Sequence, residues 1–152
     1  MTWVLQIGLA IESFLNILGA STFLLFPDWC LSFAISKPAG DVPASAATLW
    51  QTYAVLVLAL TYPLVACIPN TPGVFHKRKI IFQTLAAGEV GLIGLLLWHS
   101  TKGEDESGFT QQALLLASVN LVPALTWHGV VAWLWPSLMK ETEPGLEARK
   151  RI

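Results

Sequence analysis

The sequence is poor in charged residues and in cysteine. Only 12% of its 152 residues are charged, about half the share in a soluble domain, whereas 54% are hydrophobic. Its two cysteines form no CxxC motif, and no His/Cys/Asp cluster has metal-ligand spacing. The sequence also has no glycine-rich phosphate loop and no basic, aromatic surface suited to nucleic acid. These absences argue against a thiol oxidoreductase, a metal or nucleotide site and a nucleic-acid partner, and we expect no cofactor.

Long apolar stretches make up most of the chain, and they fall into four runs: residues 3–26, 46–68, 80–98 and 112–138. Each run has roughly the twenty residues that a helix needs to cross the hydrocarbon core of a bilayer. Barrel strands would alternate over about ten residues, and no such alternation is present. The first run has no basic amino-terminal region, so we interpret it as a membrane helix rather than a signal peptide. The sequence thus predicts an all-α integral membrane bundle of four transmembrane helices.

The connections between the runs are short, so the chain is predicted to form one transmembrane domain, residues 1–139, and a charged tail, residues 140–152. The first connection is expected to be irregular because it contains several helix-breaking residues: Pro27, Pro38, Gly40 and Pro43. The second reads IPNTPGVFHKRK, a turn followed by a basic cluster, and the third reads STKGEDESG, which is polar and acidic.

The basic residues are unevenly divided between the two sides of such a bundle. One side holds the second connection and the tail, with Lys77, Arg78, Lys79, Lys140, Arg149, Lys150 and Arg151. The other side has only Lys37 and Lys102. The positive-inside rule therefore predicts that both termini are cytoplasmic. The final residues 149–152, RKRI, resemble a basic endoplasmic-reticulum retrieval signal, and the alternative is a basic patch attracted to anionic lipid.

Three ionisable residues interrupt the apolar runs: Glu12, Glu89 and His128. Such groups are costly at bilayer depth, by roughly 3 kcal/mol or more each, and usually face a bundle interior or a cavity. At about 1.5 Å per residue, all three lie about 14 Å from the cytoplasmic ends of their helices. We therefore expect a single polar site near the midplane. Because the runs contain no Lys or Arg, the two carboxyl groups are expected to have no cationic partner, and replacing either with Gln should keep or raise stability.

Uncharged polar residues extend this site away from the cytoplasmic side. With His128, the candidate substrate-binding residues are Asn16, Gln51, Tyr53 and Asn120. We expect a cavity open toward the lumen or the lipid, with Glu12, Glu89 and His128 at its floor. The alternative for the amides is that they are interhelical hydrogen-bond partners. Tyr53 has the alternative of marking the membrane interface, and His128 that of a satisfied core histidine.

Two carboxyl groups close together in hydrocarbon cannot both ionise cheaply, so one is expected to be protonated. The protonated group can donate a proton while its mate accepts one. This suits opening of an epoxide, in which the acid protonates the ring oxygen and the base activates water or a substrate hydroxyl. It also suits proton-initiated cyclisation of a terpenoid epoxide or a double-bond isomerisation. Glu12 and Glu89 are therefore the candidate catalytic residues, and an apolar substrate would enter from the bilayer.

Several short segments carry a resemblance to a known group of proteins. They are the glutamate of the first run, LWQTY at 49–53, IPNT at 68–71 and AAGE at 86–89. Together with the spacing of the four runs, they resemble small fungal four-helix membrane proteins of secondary metabolism. That group includes the membrane-bound epoxide hydrolases of aurovertin- and citreoviridin-type polyketide pathways. The resemblance implies an endoplasmic-reticulum enzyme acting on a polyene epoxide, and it supplies no catalytic residues.

The sequence therefore predicts a membrane epoxide hydrolase or cyclase, with membrane lipid around it and an apolar small molecule as its substrate. A terpenoid cyclase or sterol-type isomerase would use the same acids. A non-catalytic lipid-binding or assembly subunit and a small proton-coupled transporter are alternatives of other classes, and a homodimer is compatible with all of them. A cavity closed at its cytoplasmic end would favour the enzyme, and carboxyl groups on different faces would favour the structural subunit.

The asymmetry of basic residues makes a testable prediction about topology. Tags on either terminus should be accessible from the cytoplasm, and a glycosylation acceptor placed in the third connection should be modified. If an acceptor in the second connection is glycosylated and one in the third is not, the predicted orientation is wrong.

Overall fold

A computed structural model of the chain describes residues 2–36 and 42–139. These residues are all-helical, apart from an isolated antiparallel bridge between Ile35 and Phe109. The helices are α1 (Thr2–Leu25), α2 (Pro27–Ser32), α3 (Ala44–Ala66), α4 (Val74–Ser100), α5 (Glu104–Ser107) and α6 (Gln111–Gly129). A π-helical turn, Val130–Leu134, and a 3₁₀ turn, Pro136–Met139, follow α6. Four helices, α1, α3, α4 and α6 with its π-helical extension, are long and apolar enough to cross a membrane.

Local sequence explains where these helices begin. Pro43 precedes α3 in an extended conformation, and Gly73 precedes α4 at a φ of 78°, a left-handed conformation that favours glycine. At α6, the Thr110 hydroxyl accepts a hydrogen bond from the Ala113 amide at 3.3 Å, which caps an unpaired donor of the first turn.

Two predicted connections differ from the structure. The first was expected to be irregular, yet its residues 27–32 form α2. Pro27 lies in the first turn, where the missing N–H of proline breaks no helical hydrogen bond. The helix predicted to begin at residue 80 begins at Val74, so the basic cluster lies on α4 instead of in a loop. Lys37, Pro38, Gly40 and the tail, residues 140–152, lie outside the described residues, and the orientation of the termini stays a prediction.

The bundle is built from two helix pairs. Helix α1 packs mainly on α3, and α4 packs mainly on α6, while α3 and α4 make little contact. We call the end where α1 and α4 begin the proximal end, and the end that holds α2 and α5 the distal end. The buried apolar core lies in the proximal half and consists of Leu5, Leu9, Leu64, Cys67, Val74, Phe82, Val131, Ala132 and Met139. The proximal end is therefore closed by packing.

Arg78 joins the two pairs at the proximal end. Its side chain is fully buried, and its guanidinium donates hydrogen bonds to the Cys67 carbonyl at 2.9 Å, the Ile68 carbonyl at 3.1 Å and the Asn70 side-chain oxygen at 2.9 Å. The sequence placed Arg78 in a connection, in one basic cluster with Lys77, whereas the structure places it on α4 with a buried side chain. The planar fork of an arginine can satisfy several carbonyls left unpaired at the end of a helix, which explains its burial.

A second polar junction joins the pairs at the distal end. The Ser36 hydroxyl, which follows α2, donates to the Glu104 carboxylate of α5 at 2.7 Å. The Thr110 amide donates to the Ala34 carbonyl at 2.8 Å, and the Ser36 amide to the Gly108 carbonyl at 3.2 Å. The space between these two junctions contains the polar site.

Candidate functional site

Glu12, Glu89 and His128 meet midway along the bundle. The His128 Nε2 atom lies 2.9 Å from Glu12 Oε1, and the Nδ1 atom lies 2.9 Å from each carboxylate oxygen of Glu89. Glu12 comes from α1, whereas Glu89 and His128 come from α4 and α6, so the cluster crosses from one helix pair to the other. The structure thus brings the three ionisable residues into one hydrogen-bonded triad.

The three side chains of the triad are buried to different degrees. The His128 side chain is 1% exposed, while the side chains of Glu12 and Glu89 are 18% and 12% exposed. The Phe82 ring packs edge-on against the imidazole, with ring centroids 5.1 Å apart. His128 is therefore shielded, whereas the two carboxyl groups are partly exposed to the cavities around them.

The two carboxyl groups were expected to have no cationic partner, but the His128 imidazole lies between them and is a cation when it is protonated. Both ring nitrogens of His128 contact a carboxyl group, so the imidazole can donate to both when it is protonated. The position of His128 along its helix already predicted that it lies in the same layer as the two glutamates. The sequence nevertheless led us to predict a substrate-binding role for His128. With both nitrogens occupied, His128 contacts the carboxyl groups and has no ring nitrogen left for a ligand.

The two carboxyl groups are not equivalent. Both oxygens of Glu89 lie 2.9 Å from the same imidazole nitrogen. In Glu12, Oε1 is bonded to His128, while Oε2 is buried and has no hydrogen-bond partner among residues 2–36 and 42–139. A buried oxygen without a hydrogen-bond partner is costly, unless a bound ligand accepts a hydrogen bond from it or donates one to it. Glu12 therefore has one oxygen whose hydrogen-bonding capacity none of the described residues uses.

Glu12 and Glu89 line one central cavity of about 210 Å³. Residues from all four long helices form it: Glu12, Asn16, Tyr53, Val57, Leu60, Thr84, Leu85, Gly88, Glu89, Leu92, Leu121 and Ala124. Two of the predicted substrate-binding residues, Asn16 and Tyr53, are therefore beside the carboxyl groups. The combination of a few polar groups and a mostly apolar wall is typical of small-molecule sites.

A larger apolar chamber of about 530 Å³ adjoins this cavity on its distal side. The two spaces share Tyr53, Leu92 and Leu121 as walls. Aromatic rings form much of the chamber: Trp50 stacks on Tyr53 at a centroid distance of 5.5 Å and lies 4.8 Å from the Phe23 ring. An elongated apolar molecule could occupy the chamber with one end at the carboxyl groups.

The other predicted site residues lie elsewhere. The Gln51 amide donates to the Leu24 carbonyl at 3.0 Å and so joins α3 to α1, the interhelical role that was its alternative. Asn120 lines a groove between α1 and α6 together with Asn16 and Glu12, on the outer surface of the bundle. Glu12 and Asn16 thus border both the central cavity and this groove.

Among the described residues, no group of three or more His, Cys, Asp or Glu side chains could hold a metal ion. Both cysteines are free, with Cys30 on the distal helix α2 and Cys67 directly after α3 at the proximal end. Comparisons with protein-family models, with curated proteins and with solved structures find no match to this chain. The geometry of the triad and its cavities is therefore the basis for a functional proposal.

His128 should stabilise the fold by serving both carboxyl groups. His128→Phe would leave them buried without a donor, and breaking a buried ion pair costs roughly 3–5 kcal/mol. In a Glu12→Gln/Glu89→Gln background the same substitution should cost less, with a coupling of roughly 0.5–3 kcal/mol. The measurement is thermal unfolding in detergent, with His99→Phe at the distal end of α4 as the control.

An equal loss of stability from His128→Phe in both backgrounds would contradict the proposed coupling. The result also tests the earlier expectation that the Gln substitutions keep or raise stability, which no longer follows once His128 is a partner.

Proposed function

We propose that this chain is a membrane-embedded enzyme that opens an apolar epoxide by acid–base catalysis, through hydrolysis or internal cyclisation. The observation that carries the proposal is the Glu12–His128–Glu89 triad, which presents two unlike carboxyl groups to a cavity that shares walls with an apolar chamber. General acid and base roles need two such groups in different protonation states beside one substrate.

We assign Glu12 as the acid and Glu89 as the base. An imidazolium that donates to both carboxyl groups, one ionised Glu89 and one protonated Glu12 would give the triad no net charge, which is the least costly state in hydrocarbon. The free oxygen of Glu12, Oε2, then carries the proton. Glu89 faces the Nδ1 donor with both oxygens, so we assign it as the base.

The reaction balances with these two groups. Glu12 gives its proton to the epoxide oxygen as a carbon–oxygen bond of the ring breaks. Water or a hydroxyl of the substrate attacks the carbon, and Glu89 takes the proton released by that nucleophile. His128 acts as a positioning residue, because it holds both carboxyl groups and touches neither the substrate nor the reacting atoms in this scheme.

The apolar chamber supports a long hydrocarbon substrate such as a polyene. Its wall contains Phe23, Trp50 and Tyr53, and flat aromatic faces suit a flat conjugated chain. The epoxide end would reach the carboxyl groups past Tyr53, which borders both spaces. A polyene epoxide of a secondary-metabolite pathway, handled in the endoplasmic reticulum, is the substrate and location that the sequence resemblance favours.

Closure of the proximal end favours an enzyme over a transporter. A transporter must open its site to both sides in turn, whereas here the buried core and Arg78 fill the proximal half. The convergence of Glu12 and Glu89 on one histidine likewise favours a site over a purely structural subunit. Terpenoid cyclisation or double-bond isomerisation would use the same acid, and product analysis separates them: a diol or an oxygen heterocycle supports epoxide opening.

Replacement of either carboxyl group should strongly reduce turnover of a polyene epoxide. Glu12→Gln and Glu89→Gln should each lower kcat by roughly 10²–10⁴-fold, and the double variant should be little worse because the groups act as a unit. The reaction rate should show a bell-shaped dependence on pH, because activity needs one carboxyl group protonated and the other ionised. The two limbs of the curve describe the coupled carboxyl groups together and not either residue alone. Glu106→Gln in the exposed helix α5 is the matched control and should keep full activity.

Turnover is measured on purified protein beside the melting temperature of each variant. Loss of activity only in proportion to loss of folded protein would assign the carboxyl groups a structural role. Full activity in either folded variant would remove that residue from the mechanism.

We propose that substrate enters the central cavity through an opening between α3 and α4, the helices that make little contact with each other. The cavity wall there includes Leu60, Thr84 and Gly88, which are exposed on the membrane-facing surface. A substrate dissolved in lipid tails could enter through this opening without crossing water.

Gly88→Phe should obstruct this entry without unfolding the protein. A Cβ at Gly88 would meet no atom within 4 Å, so the added ring has room to lie across the opening. We expect kcat/KM to fall by at least about tenfold with little change in melting temperature. Gly94→Phe is the matched control, since Gly94 lies on the same helix with equally open surroundings and away from the cavity lining. Equal effects of the two substitutions would argue against entry between α3 and α4.

A further inference from the structure

A groove runs between α1 and α6 on the side of the bundle away from the α3–α4 opening. It encloses about 560 Å³ and is lined by Val4, Ile7, Gly8, Ile11, Glu12, Leu15, Asn16, Asn120, Pro123, Ala124 and Trp127. The two helices touch at Gly8, where an added Cβ would come within 2.7 Å of the Trp127 ring. Beyond that contact they part, and the groove opens to the surface that lipid would cover.

Polar groups without partners gather in this apolar groove. Neither Asn16 nor Asn120 makes a side-chain hydrogen bond within the part of the chain that the structure describes. The third group is Glu12 Oε2, which is buried and also without a partner there. In hydrocarbon no water is available to satisfy such groups, so leaving them unpaired is costly. Three of them on one groove indicate a ligand with a polar head.

The groove continues toward the proximal end as an apolar trough of about 600 Å³. Val4, Pro123 and Trp127 line both spaces, and the trough extends to Trp135 and Ser137. A ligand with its head at Asn120 would therefore have a long apolar surface for its body. Such a ligand is a lipid held along the bundle.

We infer that the α1–α6 groove is a second binding site, for a lipid whose polar head is a single uncharged hydroxyl. A hydroxyl can donate to the side-chain oxygen of one asparagine and accept from the amide nitrogen of the other. The lining includes no Lys or Arg to pair with a phosphate, which disfavours an anionic head. A sterol and a long-chain alcohol share this chemistry. The inference does not rest on epoxide chemistry, although Glu12 borders both sites.

The test uses the full-length chain in nanodiscs with a long-chain alcohol that carries a photoactivatable diazirine in its chain. Its methyl ether, which cannot donate a hydrogen bond, is the matched probe. After irradiation, mass spectrometry should place the alcohol's label on peptides of α1 and α6, and the ether should label these several-fold less. Competition by unlabelled sterol or by unlabelled long-chain alcohol then identifies which source of the hydroxyl binds better.

Asn120→Leu should reduce labelling of α1 and α6 by roughly five- to tenfold, because it removes one hydrogen-bonding group from the site. Gln112→Leu is the matched control, since it makes the same change on α6 at a residue outside the groove lining. Glu89→Gln should leave labelling unchanged, because Glu89 borders only the central cavity. Labelling thus reports on the groove even in a variant that cannot turn over.

Three results would overturn the inference. Equal labelling by the alcohol and its ether would mean that the groove holds ordinary membrane lipid. Labelling confined to α3 and α4 would assign the alcohol to the central cavity. Protection of the groove in a dimer that dissociates on Asn120→Leu would mean that a second copy of the chain satisfies the amides.

Discussion

Burial of two carboxyl groups between apolar helices is the constraint on which the rest of this structure depends. A lone carboxylate at that depth would have to be protonated or expelled, whereas one imidazole between two carboxyl groups satisfies both with three short contacts. Glu12 belongs to the α1–α3 pair and His128 to the α4–α6 pair, so the contact also fixes the height at which the pairs meet. With Arg78 at one end and Ser36 at the other, polar contacts join the pairs at three levels.

The cavities follow from the same arrangement. Two helix pairs that touch mainly through their proximal core and these polar contacts cannot interdigitate side chains along their full length, and space remains on both sides of the triad. On one side it is the central cavity with its aromatic chamber, and on the other it is the α1–α6 groove. In water such gaps would collapse or fill with solvent, but among lipid tails they are accessible to apolar molecules.

Hydropathy and helix geometry predicted the four long helices and the common depth of Glu12, Glu89 and His128, because both depend on spacing along single helices. Contacts between helices depend on how each helix is rotated, which the near-uniform apolarity of the runs leaves undetermined. For this reason the sequence placed His128 against the substrate and Asn120 in the same cavity as Tyr53. Arg78 was assigned to a connection because the third apolar run begins only at residue 80. Its burial depends on carbonyls at the end of α3 that only the folded chain brings near.

Glu12 connects the two proposed sites, and this has a thermodynamic consequence. We propose Glu12 as the acid of the central cavity, and the same side chain also borders the α1–α6 groove. In this scheme a substrate in the cavity and a hydroxyl bound in the groove compete for the hydrogen-bonding capacity of one carboxyl group. By linkage, a bound substrate changes the affinity of the groove for its ligand by a certain factor. The groove ligand changes the affinity of the central cavity for the substrate by the same factor. In this scheme a lipid in the groove is coupled to the proposed acid through the Glu12 side chain.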